Sequence, residues 1–174
     1  MVFRLSSSDA VYIGVHIRRA DMVCDRRYTV ADVGYFRRAV HFMTLKFPGC
    51  RLVFVVCTDD LVWSQDNFPN VVIRETQHRN DNINLARDKK NVTTVNTTSA
   101  VVVFSEDRRP EEDLAILSSC NHTIMTVGTF GWWAGYLAGG LTIYYRNFPL
   151  PRLPYNLYCV GGDVKHCTIQ SNPA

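Results

Sequence analysis

The sequence predicts an α/β fold: an open parallel sheet with helices on both faces. Two observations carry the prediction. Short β-branched runs alternate with segments of helical periodicity along the 174 residues. Polar clusters follow three of those runs, at the edge where open parallel sheets bind ligands, just past the carboxyl ends of their strands. The length suits a single domain over residues 1–174.

Val11 to Ile17 is a β-branched run and reads as a buried strand. Between Asp32 and Phe47 the apolar residues Val33, Phe36, Val40, Met43 and Phe47 share one helix face. Asp32 suits the N-cap, and Pro48-Gly49 ends that helix. Leu52 to Cys57 is a second buried strand, and Thr58-Asp59-Asp60 opens a short helix containing Leu61 and Trp63. Val71-Val72-Ile73 reads as a third strand, followed at 74–99 by a polar loop or insertion. Val101 to Phe104 resumes the sheet. Pro110 begins a helix with Glu111, Glu112 and Asp113 at the positive end of its dipole, running to about Cys120. Thr123 to Val127 is a strand, Thr129 to Leu137 a helix stopped by Gly139-Gly140, and Leu141 to Tyr145 the last strand. The tail, 149–174, is punctuated by proline and reads as irregular.

Composition excludes some functions. The net charge is +3, from 19 basic and 16 acidic residues, and the basic residues are scattered. No basic stripe suited to nucleic acid is present. The longest apolar run is far shorter than the ~18 residues that a membrane span needs. The glycine pattern is neither a dinucleotide fingerprint nor a Walker sequence. None of the six cysteines forms a C-x-x-C pair. Cys57 and Cys120 sit in apolar runs as core residues, and Cys159 and Cys167 are the disulfide candidates. Asn91, Asn96 and Asn121 each begin an acceptor triplet for N-glycosylation; the first two share a threonine-rich stretch suited to a glycosylated loop.

Three constellations lie at the ligand edge. The first is His16-Ile17-Arg18-Arg19-Ala20-Asp21, directly after the first strand. Guanidinium groups grip phosphate oxygens through paired hydrogen bonds, and Asp21 can hold one arginine in place. The plain alternative is a surface arginine pair bridged to Asp21. The second is Thr58-Asp59-Asp60, whose carboxylates suit a guanine edge or a ribose, or simply cap the following helix. The third runs from Asn121 to Leu137. There Gly128, Thr129, Phe130 and Gly131 connect a strand to a helix whose first N–H groups offer a phosphate seat. Trp132 and Trp133 are expected to wedge between that helix and the sheet. His122 is either a satisfied buried histidine or part of the site.

Taken together, these residues resemble the animal galactoside 2-α-L-fucosyltransferases. The first motif is similar to that family's His-x-Arg-Arg-x-Asp signature, with Ala20 where the family usually has glycine. The most specific match is Cys120 to Leu137, continuing through Gly139-Gly140, Thr142-Ile143-Tyr144 and Asn147. The resemblance implies the Rossmann-like donor lobe of a GT-B-like glycosyltransferase. It implies GDP-β-L-fucose as donor substrate, a galactose-terminated glycan as acceptor, inversion at the anomeric carbon, and no metal or other cofactor. It also implies a Golgi enzyme, luminal and single-pass type II, held by a membrane anchor and stem that lie outside this sequence together with an amino-terminal lobe. On this reading Arg18 or Arg19 pairs with the β-phosphate, the Gly128-Thr129 turn takes further phosphate oxygens, and His16 and Asp21 orient the arginines. Two other readings stay open: a fucosyltransferase of different linkage, and a non-catalytic nucleotide- or glycan-binding module.

Overall fold

A computed structural model describes residues 10–24, 30–87, 100–106, 109–145 and 166–168. Among the described residues, six strands form one sheet in the order β3-β2-β1-β4-β5-β6. β1 (Ala10–Ile17) is central and pairs in parallel with β2 (Arg51–Thr58) on one side and β4 (His122–Met125) on the other. β3 (Ala100–Phe104) extends the sheet beyond β2, and β5 (Leu141–Tyr144) extends it beyond β4, both in parallel. The strand order therefore reverses between β1 and β4, where loops leaving the two strands diverge and open a crevice.

Helices cover both faces, as the sequence predicts. α2 (Val33–Lys46) and α3 (Leu61–Arg87) pack together on one face, while α4 (Pro110–Ser119) and α5 (Thr129–Ala138) pack together on the other. A one-turn helix, α1 (Ala20–Val23), follows β1. Strand alternation decides which β1 residue meets which layer. Ile13, Val15 and Ile17 are buried in the larger core with Phe36, Val40, Phe54 and Phe68. Gly14 lies against Leu117 of α4, and His16 meets α5. With both faces covered, the strand reads as a nearly unbroken apolar run.

Two expectations fail. Val71-Val72-Ile73 is not a strand, and residues 74–87 are not a loop, because one 27-residue helix, α3, spans both. Phe68, Val71, Val72 and Glu75 are buried, at helical spacing, against the α2 side of the core. β-propensity is weak beside such tertiary burial. Asp60 starts the helix by accepting a 3.2 Å hydrogen bond from the Trp63 N–H. Nor is the tail wholly irregular, since β6 (His166–Thr168) adds an antiparallel edge strand to β5. Residues 88–99, with Asn91 and Asn96, lie outside the described residues, as does Cys159 and hence any pairing with Cys167. Among the described residues, no helix is long and apolar enough to cross a membrane.

The helix α5 corrects a further expectation. Its sheet-facing stripe is Gly131, Ala134, Gly135 and Ala138, all buried. Small residues bring helix and strands close: a Cβ on Gly135 would come within 2.8 Å of Thr142 Oγ1. No room is left for tryptophan on that side. Trp132 stacks on Tyr136 instead, and Trp133 is 49% exposed.

Candidate functional site

The crevice between β1 and β4 brings the first and third constellations together. The Arg18 N–H donates to Thr126 Oγ1 at 2.9 Å, and the Thr126 N–H donates to the His16 carbonyl at 3.1 Å. These bonds clamp the end of β1 to the end of β4. Beyond the clamp the Arg18 guanidinium lies over the Gly128 turn, with Nη1 3.7 Å from the place of a Cβ on Gly128. Asp21 holds the other side of the fork, accepting from Arg18 Nε at 3.3 Å and Nη2 at 2.5 Å. Arg18 pulls the Asp21 carboxyl below the usual carboxylate range, chiefly through that hydrogen bond.

Gly128 is the N-cap of α5, at φ 90 and ψ 160. This backbone region is essentially glycine's alone. No side chain caps the helix, so the N–H groups of Thr129, Phe130 and Gly131 face outward at the positive end of its dipole. Thr129 itself is exposed. An arginine fork and an uncapped helix start thus face one small space, an arrangement that suits an anion.

Beside it, a cleft of ≈ 390 Å³ is lined by His16, Arg18, Cys57, Thr58, Asp59, Pro110, Asp113 and Phe130. Arg18 is common to the cleft and the turn. His16 is buried and its ring packs on Phe130 with centroids 5.1 Å apart. Its Nδ1 points toward Gly131, where a Cβ would sit only 2.6 Å away. Among the described residues that nitrogen has no hydrogen-bond partner. Burial, reinforced by the Arg18 charge and opposed by Asp113, lowers the His16 pKa to about 4, so the imidazole is neutral at physiological pH. The histidine supports the first turn of α5 rather than bridging to an arginine side chain.

In the second constellation both carboxylates hold the protein's own groups. Asp59 Oδ1 accepts from the N–H groups of Arg19 and Ala20 at 2.7 and 3.2 Å, fixing the turn after β1. Asp60 caps α3 and lies 3.4 Å from Arg19 Nε. The carboxylate that the sequence reading missed is Asp113, in the first turn of α4. It accepts a 2.6 Å hydrogen bond from Ser105 Oγ and lines the cleft. Its place in an acidic helix start masked it, because the dipole alone accounts for carboxylates there. Thr126, also missed, looks in sequence like one more strand residue. Burial and Asp113 push the Cys57 thiol strongly up, and burial raises Cys120 to about 12; neither suits a nucleophile.

His122 and Asn121 lie at the opposite end of the sheet. His122 Nδ1 accepts from the Leu141 N–H at 3.0 Å and its ring stacks on Phe47, so it is a satisfied histidine away from the site. The Asn121 side chain accepts from the Tyr12 N–H at 2.8 Å. Among the described residues no group of three or more His, Cys, Asp or Glu is arranged to hold a metal ion.

A doubly wound sheet with its polar site at the reversal of strand order defines a Rossmann-like α/β domain. The family model described as glycosyl transferase family 11 matches residues 2–88 and 81–157. The chain belongs to glycosyl transferase family 11. It is 35% identical over 156 residues to galactoside alpha-(1,2)-fucosyltransferase 2 of Mus musculus and 34% identical over the same length to that of Pongo pygmaeus, in each case over 86% of this chain and 37% of the relative. It is 34% identical over 155 residues to galactoside alpha-(1,2)-fucosyltransferase 1 of Sus scrofa, over 85% of this chain and 34% of the relative. The chain therefore spans little more than a third of these relatives.

Proposed function

We propose that this chain is the donor-binding lobe of a galactoside 2-α-L-fucosyltransferase, and that the site past β1 and β4 holds GDP-β-L-fucose. One observation carries the reading: the Arg18 guanidinium and the uncapped start of α5 meet at Gly128. The diphosphate takes that shared space and the nucleoside extends into the adjoining cleft. Asp113 offers a carboxylate there for the two N–H donors on the guanine edge, a role that better suits it than Asp59, which is engaged with backbone. His16, neutral, adds an uncharged hydrogen-bonding group.

In the reaction, the bond between the anomeric carbon and the β-phosphate oxygen breaks, and its electron pair leaves with GDP. The galactose 2-hydroxyl attacks the opposite face, so a β-linked donor yields an α-linked product, and the hydroxyl proton passes to a base outside the described residues or to solvent. Arg18 and the α5 amides neutralise the departing diphosphate, charge stabilisation that needs no metal. The acceptor is a galactose-terminated glycan, and the compartment the Golgi lumen, reached by a membrane anchor outside this sequence. The relatives' names support the linkage and the sugar class.

Calorimetry with GDP, GDP-fucose and guanosine tests the donor site, and a transfer assay on lactose tests turnover. Tighter binding of GDP than guanosine is expected. Equal binding of the two would remove the diphosphate assignment. GDP-fucose binding without transfer would favour a binding module, a reading that the chain's span of about a third of its relatives keeps in view.

A further inference from the structure

The two adjacent arginines leave β1 on opposite faces. Arg18 follows His16 and Gly14 toward the α4–α5 layer and reaches Gly128. Arg19 follows Ile17, Val15 and Ile13 toward the α2–α3 layer. Its guanidinium carbon lies 4.2 Å over the centroid of the Trp63 ring, in the first turn of α3. Arg19 Nε is buried beside Asp60 Oδ2, 3.4 Å away, and the side chain is only 19% exposed. The Arg19 N–H is meanwhile fixed by Asp59. Asp60 itself is held by the Trp63 N–H, and Thr58 Oγ1, which accepts from the Asp60 N–H, contacts Ser64 Oγ at 3.0 Å. Arg19 is thus stitched at three points to the turn between β2 and α3.

From this geometry we propose that Arg19 is a positioning residue, not a second phosphate ligand. Seated on Trp63 beside Asp60, it locks the turn after β1 to the start of α3 and so fixes Arg18 opposite Gly128. To reach the diphosphate it would have to give up the Trp63 ring face and leave Asp60 facing a vacated, half-buried space. A single arginine fork therefore serves the anion, and the carboxylate pair Asp59-Asp60 acts through the arginines instead of on the ligand. The proposal rests on the diphosphate reading above.

Nuclear magnetic resonance on the whole chain supplies the decisive readout. The Arg19 side-chain protons, shifted by the Trp63 ring, are expected to keep that shift when GDP saturates the site. Their return to ordinary positions on GDP addition would overturn the proposal. Affinities for GDP and guanosine give the second readout. Arg18→Lys is expected to cut the GDP-over-guanosine preference on the order of 10-fold or more, because an ammonium lacks the planar fork. Arg19→Lys, which keeps a cation over Trp63, should cut it by less than about 3-fold, and Arg19→Gln by an intermediate factor. Equal losses for the two lysine variants would show that Arg19 touches phosphate. Without ligand, Arg19→Gln should move the Gly128 amide resonance and Arg19→Lys should restore it; an unmoved Gly128 in the glutamine variant would also sink the proposal. If wild-type protein bound GDP no tighter than guanosine, the diphosphate reading would fail, while the ligand-free Gly128 shift would still decide the positioning role.

Discussion

The two sides of the crevice are built from different materials. On the β1–β2 side, charged side chains hold one another: Arg18 with Asp21, Arg19 with Asp60 and Trp63, and Asp59 with the backbone of the turn. On the β4–α5 side the polar surface is backbone, and the residues are small so that it can be approached: Gly128 at a glycine-only conformation and Gly131 under His16. Guanidinium groups need partners to stay oriented, so that side carries a network. Helix amides are oriented by the helix itself and need only an absence of side chains. The comparison predicts that the first side fails when a charge is removed and the second when a carbon atom is added.

The largest expected effect is on the charged side. Arg18→Ala should lower fucosyl transfer by 10²–10³-fold, as for other groups that stabilise transition-state charge, and GDP affinity on the order of 10- to 100-fold. Single-turnover assays and calorimetry check the two quantities. Near wild-type transfer in this variant would erase the distinction between the sides.

The next effect concerns His16, which joins them. Its folded pKa, about 4, lies below the ordinary 6.5. Between those values the unfolded chain takes up a proton that the folded chain refuses, so stability is retained above pH 6.5 and lost as pH falls toward 4. The full loss is about 3 kcal/mol. His122, lowered by burial, acts in the same direction at the far end of the sheet. Urea midpoints at pH 7.5 and pH 5 should differ in the wild type, and His16→Asn should flatten that difference. An unchanged slope in the variant would place the acid sensitivity elsewhere.

Adding one carbon tests the backbone side. Gly128→Ala forces an alanine to φ 90 and places its Cβ in contact with Arg18, the backbone strain costing about 1–3 kcal/mol. Both the melting temperature and GDP affinity should fall, whereas Gly49→Ala, also at positive φ but with nothing within 4 Å of its Cβ, should lower the melting temperature alone. Comparable loss of GDP affinity in both variants would mean that the Gly128 turn is not part of the site.

The smallest effect is expected far from the crevice. Asn121→Gln loses one hydrogen bond to the Tyr12 N–H, worth about 1 kcal/mol, and should leave GDP affinity unchanged. Because the Asn121 side chain is already built into the sheet's edge, the variant expressed through a secretory pathway should also run with wild-type gel mobility. A faster-running variant would show that Asn121 carries a glycan.

Much of this architecture was legible one element at a time. The apolar run of β1, the helix face of α2, the start of α5 at Gly128 and its stop at Gly139 are local patterns, and each formed where its residues indicated. The misreadings share a physical cause. Val71-Val72-Ile73 has the composition of a strand, but Phe68 and Glu75 bracket it with the spacing of a helix, and burial against α2 selected the helix. Trp132 and Trp133 have the composition of a core, but Gly131, Ala134, Gly135 and Ala138 had already taken the face that meets the sheet.

By itself, the sequence determined the doubly wound class, the two polar segments that meet in the crevice, and the glycine that lets them meet. Those follow from short-range physics: β-branching, helical periodicity and a backbone angle that only glycine accepts. Tertiary structure alone decided where the two neighbouring arginines lie, Arg18 at Gly128 and Arg19 on Trp63, because only packed layers on either side of β1 turn its two-residue alternation into two environments. It likewise decided what each carboxylate holds, since Asp59, Asp60 and Asp113 differ less in their local sequence than in the Arg19 N–H, the start of α3 and the Ser105 hydroxyl that the fold brings to them.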